Sequence, residues 1–275
     1  MSNLPDIIQL ALDEDIGSGD ITTRCFTDPD RTIEASVVAR EACVLAGGAV
    51  AMEVFRRVDA SLKVSDTVED GSLLHAGYVA MRVGGRLASI LTAERTALNF
   101  LQRLSGVATL TRQYVDAIRG TGAVILDTRK TTPGFRLLEK AAVAAGGGTN
   151  HRVGLYDMAL VKDNHLAAGV TLDDLQSSID RAKAAGVRVE IEADTLEQVR
   201  DFLTLKGVDV ILLDNMPPEI LRQAVAMRPP GVKMEASGGV NLKTVRAIAE
   251  TGVDFISVGA ITHYAVAVDL ALDIG

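Results

Sequence analysis

The sequence predicts an α/β protein in two parts: a strand-rich N-terminal part and a longer part in which strands and helices alternate. Three observations carry this. Short alternating runs separated by glycines fill residues 33–83, a helical pattern broken only by Gly106 runs from Ser89 to Arg119, and after Gly122 apolar runs that end in polar residues recur with helical segments between them. A chain of 275 residues, 48% apolar, buries a full core and allows one large or two modest domains.

Residues 4–12 read as a short helix, and Asp13–Thr23 as an acidic, glycine-punctuated loop. Asp13, Glu14, Asp15 and Asp20 either shape that loop through caps and turns or hold a metal. The runs Ala35–Ala39 and Tyr78–Val83, set off by Gly47-Gly48, Asp70-Gly71 and Gly84-Gly85, predict strands with a helix near residues 48–58 between them. From Ser89 to Arg119, Leu91, Leu98, Leu101, Leu104, Val107, Leu110, Tyr114 and Ile118 recur at spacings near three and four, which predicts one or two long helices. Taken alone, Arg95 reads there as a solvated helix charge.

Strands then follow at Val124–Asp127, Met158–Val161, Val187–Glu192, Val208–Asp214, Val232–Ser237 and Phe255–Gly259. The helical segments include Thr171–Ala185, Thr195–Leu205, Pro218–Met227 and Asn241–Thr251. Strand, helix, strand at this length is the parallel crossover unit. Six such strands point to a βα barrel or a barrel-like open sheet; a doubly wound sheet is the alternative.

A net charge of −8 and a pI near 5.1 exclude the broad basic face that a nucleic acid or membrane surface requires. Cys25 and Cys43 match no metal or redox spacing and read as reduced thiols of a cytoplasmic protein. The N-terminus carries acids and a proline, so no secretory signal is expected, and the longest apolar stretch, Ala42–Ala51, is too short to span a membrane.

Against this acidic background, cations collect in one place. Asp127-Thr128-Arg129-Lys130-Thr131-Thr132-Pro133-Gly134, Asn150-His151-Arg152 and Lys162-Asp163-Asn164-His165 together offer Arg129, Lys130, His151, Arg152 and Lys162. In a barrel the C-terminal strand ends converge on one face, where active sites lie. The other ends are Glu190/Glu192, Asp214/Asn215, Glu235/Ser237-Gly238-Gly239 and Gly259-Ala260. Like cations ~5 Å apart at an effective dielectric near 20 repel by roughly 3 kcal/mol per pair. Glu190, Glu192 and Asp214 offset only part of this, so the cup is expected to take a small polyanion. Arginine suits carboxylate and phosphate because its planar fork binds two oxygens at once. Ser237-Gly238-Gly239 and Gly259 suit a phosphate approached by backbone N–H groups, with Asn241 opening a helix behind them. Glu192 and Asp214 either hold Mg²⁺ bridged to phosphates or pair with Lys130 or Lys162.

Taken together, these stretches resemble the quinolinate phosphoribosyltransferase family. The likeness runs through Glu14–Thr23, Ala93–Asn99, Asp127–Gly134, Gly146–Tyr156, Lys162–His165, Glu190–Gln198, Leu212–Met216, Glu235–Val240 and Ile256–His263, nearly the whole chain. Thr149 stands where the family carries a bulkier residue, and one residue is inserted between Glu192 and Asp214; the charged set is intact. The resemblance implies an N-terminal α/β sandwich domain over residues 1–110, completed by the C-terminal tail 265–275, and an incomplete, open α/β barrel with parallel strands over residues 111–264. It implies a homodimer, or a higher oligomer, with a shared active site. Arg129, His151, Arg152 and Lys162 would bind the two carboxylates of quinolinate, with Arg95 entering from the neighbouring subunit. Lys130, Glu192 and Asp214 would be catalytic, facing phosphoribosyl pyrophosphate, with Glu192 and Asp214 on Mg²⁺ as cofactor. Ser237, Gly238, Gly239, Gly259 and His263 would receive the 5′-phosphate. The implied reaction joins the quinolinate ring nitrogen to the ribose, expelling pyrophosphate and CO₂ to give nicotinate mononucleotide for NAD biosynthesis.

Three other readings are compatible with the same residues. They are a phosphoribosyltransferase for nicotinate or another ring, a Schiff-base aldolase using Lys162 or Lys130, and a non-catalytic phosphometabolite-binding protein.

Overall fold

An antiparallel and a parallel sheet anchor the two compact units of the chain. The computed structural model describes residues 6–162 and 169–274. Unit 1 contains the chain up to Arg112, Thr131–Gly147 and the segment from Ile261 onward; unit 2 contains Gln113–Lys130 and Gly148–Ala260.

Unit 1 opens with helices α1 (Ile7–Ile16) and α2 (Ile21–Phe26). The expected acidic loop is therefore shorter than the sequence suggested, because its acids work as helix signals. Asp6 caps α1 by accepting the N–H groups of Ile8 and Gln9, Asp13 to Ile16 finish that helix, and Asp20 caps α2 through the Thr23 N–H. Strands β1 (Thr32–Ala39), β2 (Cys43–Val44), β3 (Lys63–Ser65), β4 (Leu73–Leu74) and β5 (Val79–Arg86) follow, with α3 (Gly48–Val58) after β2. The four-stranded sheet has the order β12-β1-β5-β3, where β12 (Leu270–Ile274) pairs antiparallel with β1 from Ala35 opposite Ile274 to Ala39 opposite Leu270. The tail thus completes the sheet of the N-terminal half.

A single long helix, α4 (Leu87–Ala117), meets the expectation of one or two. Its inward stripe includes Ile90, Ala93, Ala97, Leu98 and Leu101, all buried, and packs with Val37, Phe55, Met81 and Leu270 in one core. Gly106 sits in mid-helix for a steric reason: a Cβ there would lie 2.1 Å from the carbonyl oxygen of Val266 in the returning tail. One turn earlier Gln102 accepts the Val268 N–H at its backbone oxygen and donates its amide to Leu270 O at 2.8 Å.

Asp59, just after α3, ties three elements together. Its carboxylate accepts from the Ser61 N–H and hydroxyl, from Arg86 at the end of β5 at 2.6 Å, and from the Ser89 hydroxyl in α4 at 2.6 Å. The hydrogen bonds from Ser89 and Ser61, then Arg86, hold its carboxyl well below the usual range. Asp59→Ala is expected to cost about 2–3 kcal/mol by urea denaturation, the magnitude of losing hydrogen bonds to a charged group. A depressed carboxyl contributes stability above its unfolded value of 3.8 and loses it as pH falls through the folded value, so the gap between variant and wild type should narrow below that pH.

Unit 2 holds strands β6 (Val124–Leu126), β7 (Ala159–Val161), β8 (Val189–Ala193), β9 (Val210–Asp214), β10 (Lys233–Ser237) and β11 (Phe255–Ser257) in one parallel sheet of order β6-β11-β10-β9-β8-β7. The order steps in one direction and sets the first strand beside the last, with β6 and β7 at the two open ends. A doubly wound sheet reverses direction at a switch point, so this is the open barrel order. Helices α6 (Leu172–Ala184), α7 (Leu196–Phe202), α8 (Pro218–Met227) and α9 (Val245–Ala249) make the crossovers. Thr171 and Thr195 start α6 and α7 with reciprocal capping boxes to Asp174 and Gln198. Helix α5 (Arg136–Ala145), in the β6–β7 connection, belongs to unit 1. Asn241 opens a turn, and α9 begins four residues later after Thr244. A last short helix, α10 (Ala260–His263), precedes the tail.

Both faces of β8 are buried, which parallel packing requires. Side-chain alternation puts Val189, Ile191 and Ala193 on one face and Glu190 and Glu192 on the other. In β10 the same alternation sets Met234 and Ala236 opposite Glu235. Charged side chains therefore occupy one face of the parallel sheet. No described helix is long and apolar enough to cross a membrane, and Cys25, exposed, and Cys43, buried, form no disulfide.

Candidate active site

The parallel register puts the six C-terminal strand ends on one edge of unit 2. Arg129 and Lys130 follow β6, and Lys162 follows β7; these are the two outer strands. The inner strands end in Gly259 after β11, Ser237-Gly238-Gly239 at β10, Asp214 at β9 and Glu192 in β8. Cations thus stand at the outer ends, with carboxylates and glycines between them. Asp163, Asn164 and His165 lie outside the described residues.

Asp127, fully buried, fixes the loop that carries the next two cations. Its carboxylate accepts the His151 backbone N–H at 2.8 Å, and its own N–H donates to Thr149 O at 3.2 Å. Arg152 is half-buried, with Nη1 3.3 Å from Met158 O. Burial lowers the pKa of its guanidinium, and the charge of Arg129 lowers it further. Two arginines of unit 2 therefore act on one another, which a bound dianion would relieve.

The ring of His151 is held at both nitrogens. Nε2 lies 3.0 Å from Glu190 Oε2 and 3.4 Å from Glu235 Oε2, while Nδ1 accepts the Arg152 N–H at 2.8 Å. Burial opposes a charge on the ring, but hydrogen bonds to Glu190 and Glu235 outweigh it and push the imidazole up to about 10. Burial pushes the Glu190 carboxyl up to about 7, partly offset by His151. Both shifts give the cluster an extra proton at neutral pH. The Arg152 N–H takes the lone pair of Nδ1, so the hydrogen that the ring shares with the two glutamates lies on the Nε2 side.

Lys162 forms an ion pair with Glu192, one of the pairings the sequence left open. This amine is ion-paired and partly exposed, not the desolvated amine of a Schiff-base lysine. Asp214 accepts from the side-chain amide of Asn215, which adopts a left-handed φ of 51° and donates its backbone N–H to Ser237 O at 2.9 Å. Gly238, at φ 91°, must be glycine, because a Cβ would lie 2.8 Å from the Asn215 backbone nitrogen. Asn215 is a residue whose role spacing could not give; its signal is an asparagine directly after a buried strand.

Glu192 and Asp214 end adjacent strands and offer hard carboxylate oxygens. Such a pair fits Mg²⁺, which takes one or two protein carboxylates and fills its shell with phosphate and water. Among the described residues, only His151, Glu190 and Glu235 bring three donor atoms within 4.8 Å of one another, and hydrogen bonding accounts for that group.

Arg95 and His263 belong to unit 1. Arg95 is exposed on α4, and His263, also exposed, sets its ring 4.2 Å from Tyr264. One turn beyond Arg95, Asn99 and Phe100 line a cleft of about 190 Å³ with Thr96, Glu14, Asp15 and Phe135. Asp15 and Asp20 also face the hydroxyls of Thr96 and Thr92, at 3.4 and 3.2 Å, so the acidic segment is docked on α4.

A parallel open barrel with carboxylates, cations and glycines along its C-terminal edge defines an α/β fold built to handle a polyanionic ligand. Comparison with known proteins makes this specific. The family description "Quinolinate phosphoribosyl transferase, N-terminal domain" matches residues 20–105, and its C-terminal counterpart matches residues 107–273. A probable nicotinate-nucleotide pyrophosphorylase (carboxylating) of Bacillus subtilis is 41% identical over 95% of this chain and 90% of its own. A quinolinate phosphoribosyltransferase (decarboxylating) of Nicotiana glauca is 41% identical over 99% of this chain and 82% of its own. The solved nicotinate-nucleotide pyrophosphorylase of Francisella tularensis superposes with a TM-score of 0.91 at 39% identity, covering 98% of this chain and 95% of that one. The chain belongs to the quinolinate phosphoribosyl transferase family.

Proposed function

We propose that this chain transfers the phosphoribosyl group of phosphoribosyl pyrophosphate to quinolinate, releasing pyrophosphate and CO₂ and giving nicotinate mononucleotide. Beside family membership, one observation supports the reading: the outer strands of the parallel sheet end in cations and the inner strands in carboxylates and glycines. A planar dianion and a phosphorylated sugar need those two environments side by side.

Arg129, Arg152 and Lys162 hold the two carboxylates; His151, expected to bind with them, stands beside them with its Nε2 on Glu190 and its Nδ1 on the Arg152 N–H, and Arg95 comes from the neighbouring copy of a homodimer. Ser237, Gly238, Gly239, Gly259 and His263 receive the 5′-phosphate. Lys130 faces the pyrophosphate, where a fixed positive charge lowers the cost of its departure. Glu192 and Asp214 lie toward the ribose and favour the positive charge that develops at C1 as the bond to pyrophosphate lengthens. Mg²⁺, held by Glu192 and Asp214 together with phosphate oxygens, would supply further charge neutralisation. The ring nitrogen attacks C1 without an enzymic nucleophile, so the protein mainly orients the two substrates. Once alkylated, the cationic ring nitrogen stabilises the electron pair that the departing 2-carboxylate leaves on C2, and a proton from solvent takes the place of CO₂ there. Unpaired thiols and an acidic surface suit a cytoplasmic enzyme.

Parallel turnover assays with quinolinate and nicotinate test the substrate class. A clamp built for two carboxylates should favour quinolinate by about thirtyfold or more in kcat/KM, since nicotinate forgoes about 2 kcal/mol of charge-assisted contact. Comparable turnover of nicotinate would show that the second half of the clamp has no substrate to hold.

A further inference from the structure

Residues in or just after four strands of unit 2 converge on His151, directly or through Glu235. Asp127 after β6 takes the His151 backbone N–H, Glu190 in β8 and Glu235 in β10 face Nε2, and Ser257 in β11 donates its hydroxyl to the second oxygen of Glu235. Asp127 and Glu190 are fully buried and Glu235 is 2% exposed. Buried carboxylates are costly unless hydrogen bonds hold them. Glu190 has little such support: among the described residues its Oε1 has no hydrogen-bond partner, and its Oε2 is spent on His151. The proposed transfer assigns no task to Glu190, Glu235 or Asp127. What they share is His151 and, through the bond from the Arg152 N–H to Nδ1, the backbone of Arg152.

We propose that Glu190 and Glu235 are positioning residues for the dicarboxylate clamp, fixing the His151 ring so that it, with Asp127, fixes the loop presenting Arg152. A ring bound at both nitrogens cannot flip or change tautomer without breaking both contacts. Loosening it frees Arg152 from its anchor, and small displacements of a substrate-holding group are costly to a reaction that depends on orientation. The identity of the ligand rests on the quinolinate reading; the positioning network does not.

Calorimetry and kinetics on Glu190→Ala and Glu190→Gln test the assignment. The alanine variant should raise the Kd and KM for quinolinate by about tenfold or more, while the KM for phosphoribosyl pyrophosphate stays within about twofold, because the lost contact leads only to the clamp. Glutamine keeps an acceptor for Nε2–H and should restore most of the quinolinate affinity. Equal loss toward both substrates, or no rescue by glutamine, overturns the proposal. Should the alanine variant fail to fold, ¹⁵N-histidine NMR of the unaltered protein decides. Of its four histidines, His151, assigned by its loss in a His151→Gln variant, should show a fixed Nε2–H and a bare Nδ1, and a ring averaging between tautomers overturns the network. That spectrum needs no substrate, so its failure is distinct from a failure to turn over quinolinate.

Discussion

Arg152→Ala is expected to weaken quinolinate binding by at least about 2 kcal/mol, roughly thirtyfold, the size of a lost charge-assisted contact. The structure gives the reason. Arg152 is half-buried, its charge is disfavoured by burial and by Arg129, and its backbone is anchored to His151. Inside the protein the guanidinium donates to Met158 O, and the charges of Glu190 and Asp157 only partly offset burial and Arg129, so a bound carboxylate adds a partner at close range. Calorimetry should show the loss for quinolinate with phosphoribosyl pyrophosphate binding nearly unchanged. Arg152→Lys should recover only part of it, since an ammonium carries the charge without the planar fork. Undiminished quinolinate affinity in the alanine variant would remove Arg152 from the clamp.

The largest expected loss of stability lies elsewhere, at Glu139 in α5. This carboxylate is fully buried; it accepts from Arg103 Nη2 at 2.7 Å, from the Thr132 N–H at 3.0 Å and from the Thr132 hydroxyl at 2.9 Å. Arg103 in α4 also donates to the carbonyls of Ala265, at 2.6 Å, and Thr262. One ion pair therefore joins α4, α5 and the tail. Glu139→Ala leaves Arg103 without its counter-charge and orphans a backbone N–H, a change that costs about 3–5 kcal/mol. That is a large share of the roughly 5–15 kcal/mol that holds a domain together. Chemical denaturation should show it, with proteolytic cleavage near residues 261–270 rising in parallel. A loss below about 1 kcal/mol would mean that solvent replaces the pair, as at exposed sites.

The strand ends were legible in sequence because an apolar run breaking into charge is a local signal. Helix α8 kept the expected limits, Pro218–Met227, since proline marks one end and the amphipathic pattern the rest. Helix α5 was missed for a physical reason. Its N-cap, Phe135, makes no side-chain cap bond, and two of its four buried residues are the charged Glu139 and Lys140, so it lacks a start signal and its inward face reads as partly polar. The sequence could not choose between a doubly wound sheet and an open barrel, because strand order depends on crossover direction and leaves no trace in local pattern.

The buried carboxylates were equally hidden. Val189-Glu190-Ile191-Glu192-Ala193 alternates like a strand with one wet face, yet all five residues are buried. The acidic segment from Asp13 to Asp20 misled in the other direction: clustered acids suggested a loop, whereas their order caps or ends two helices and docks on α4.

The measurement that bears most directly on the function is release of labelled CO₂ from quinolinate labelled in its 2-carboxylate, with phosphoribosyl pyrophosphate and Mg²⁺ supplied or withheld. Release that requires the sugar pyrophosphate and Mg²⁺ together, in step with nicotinate mononucleotide, is the predicted result. Folded protein that releases no CO₂ with everything present would contradict decarboxylating transfer to quinolinate.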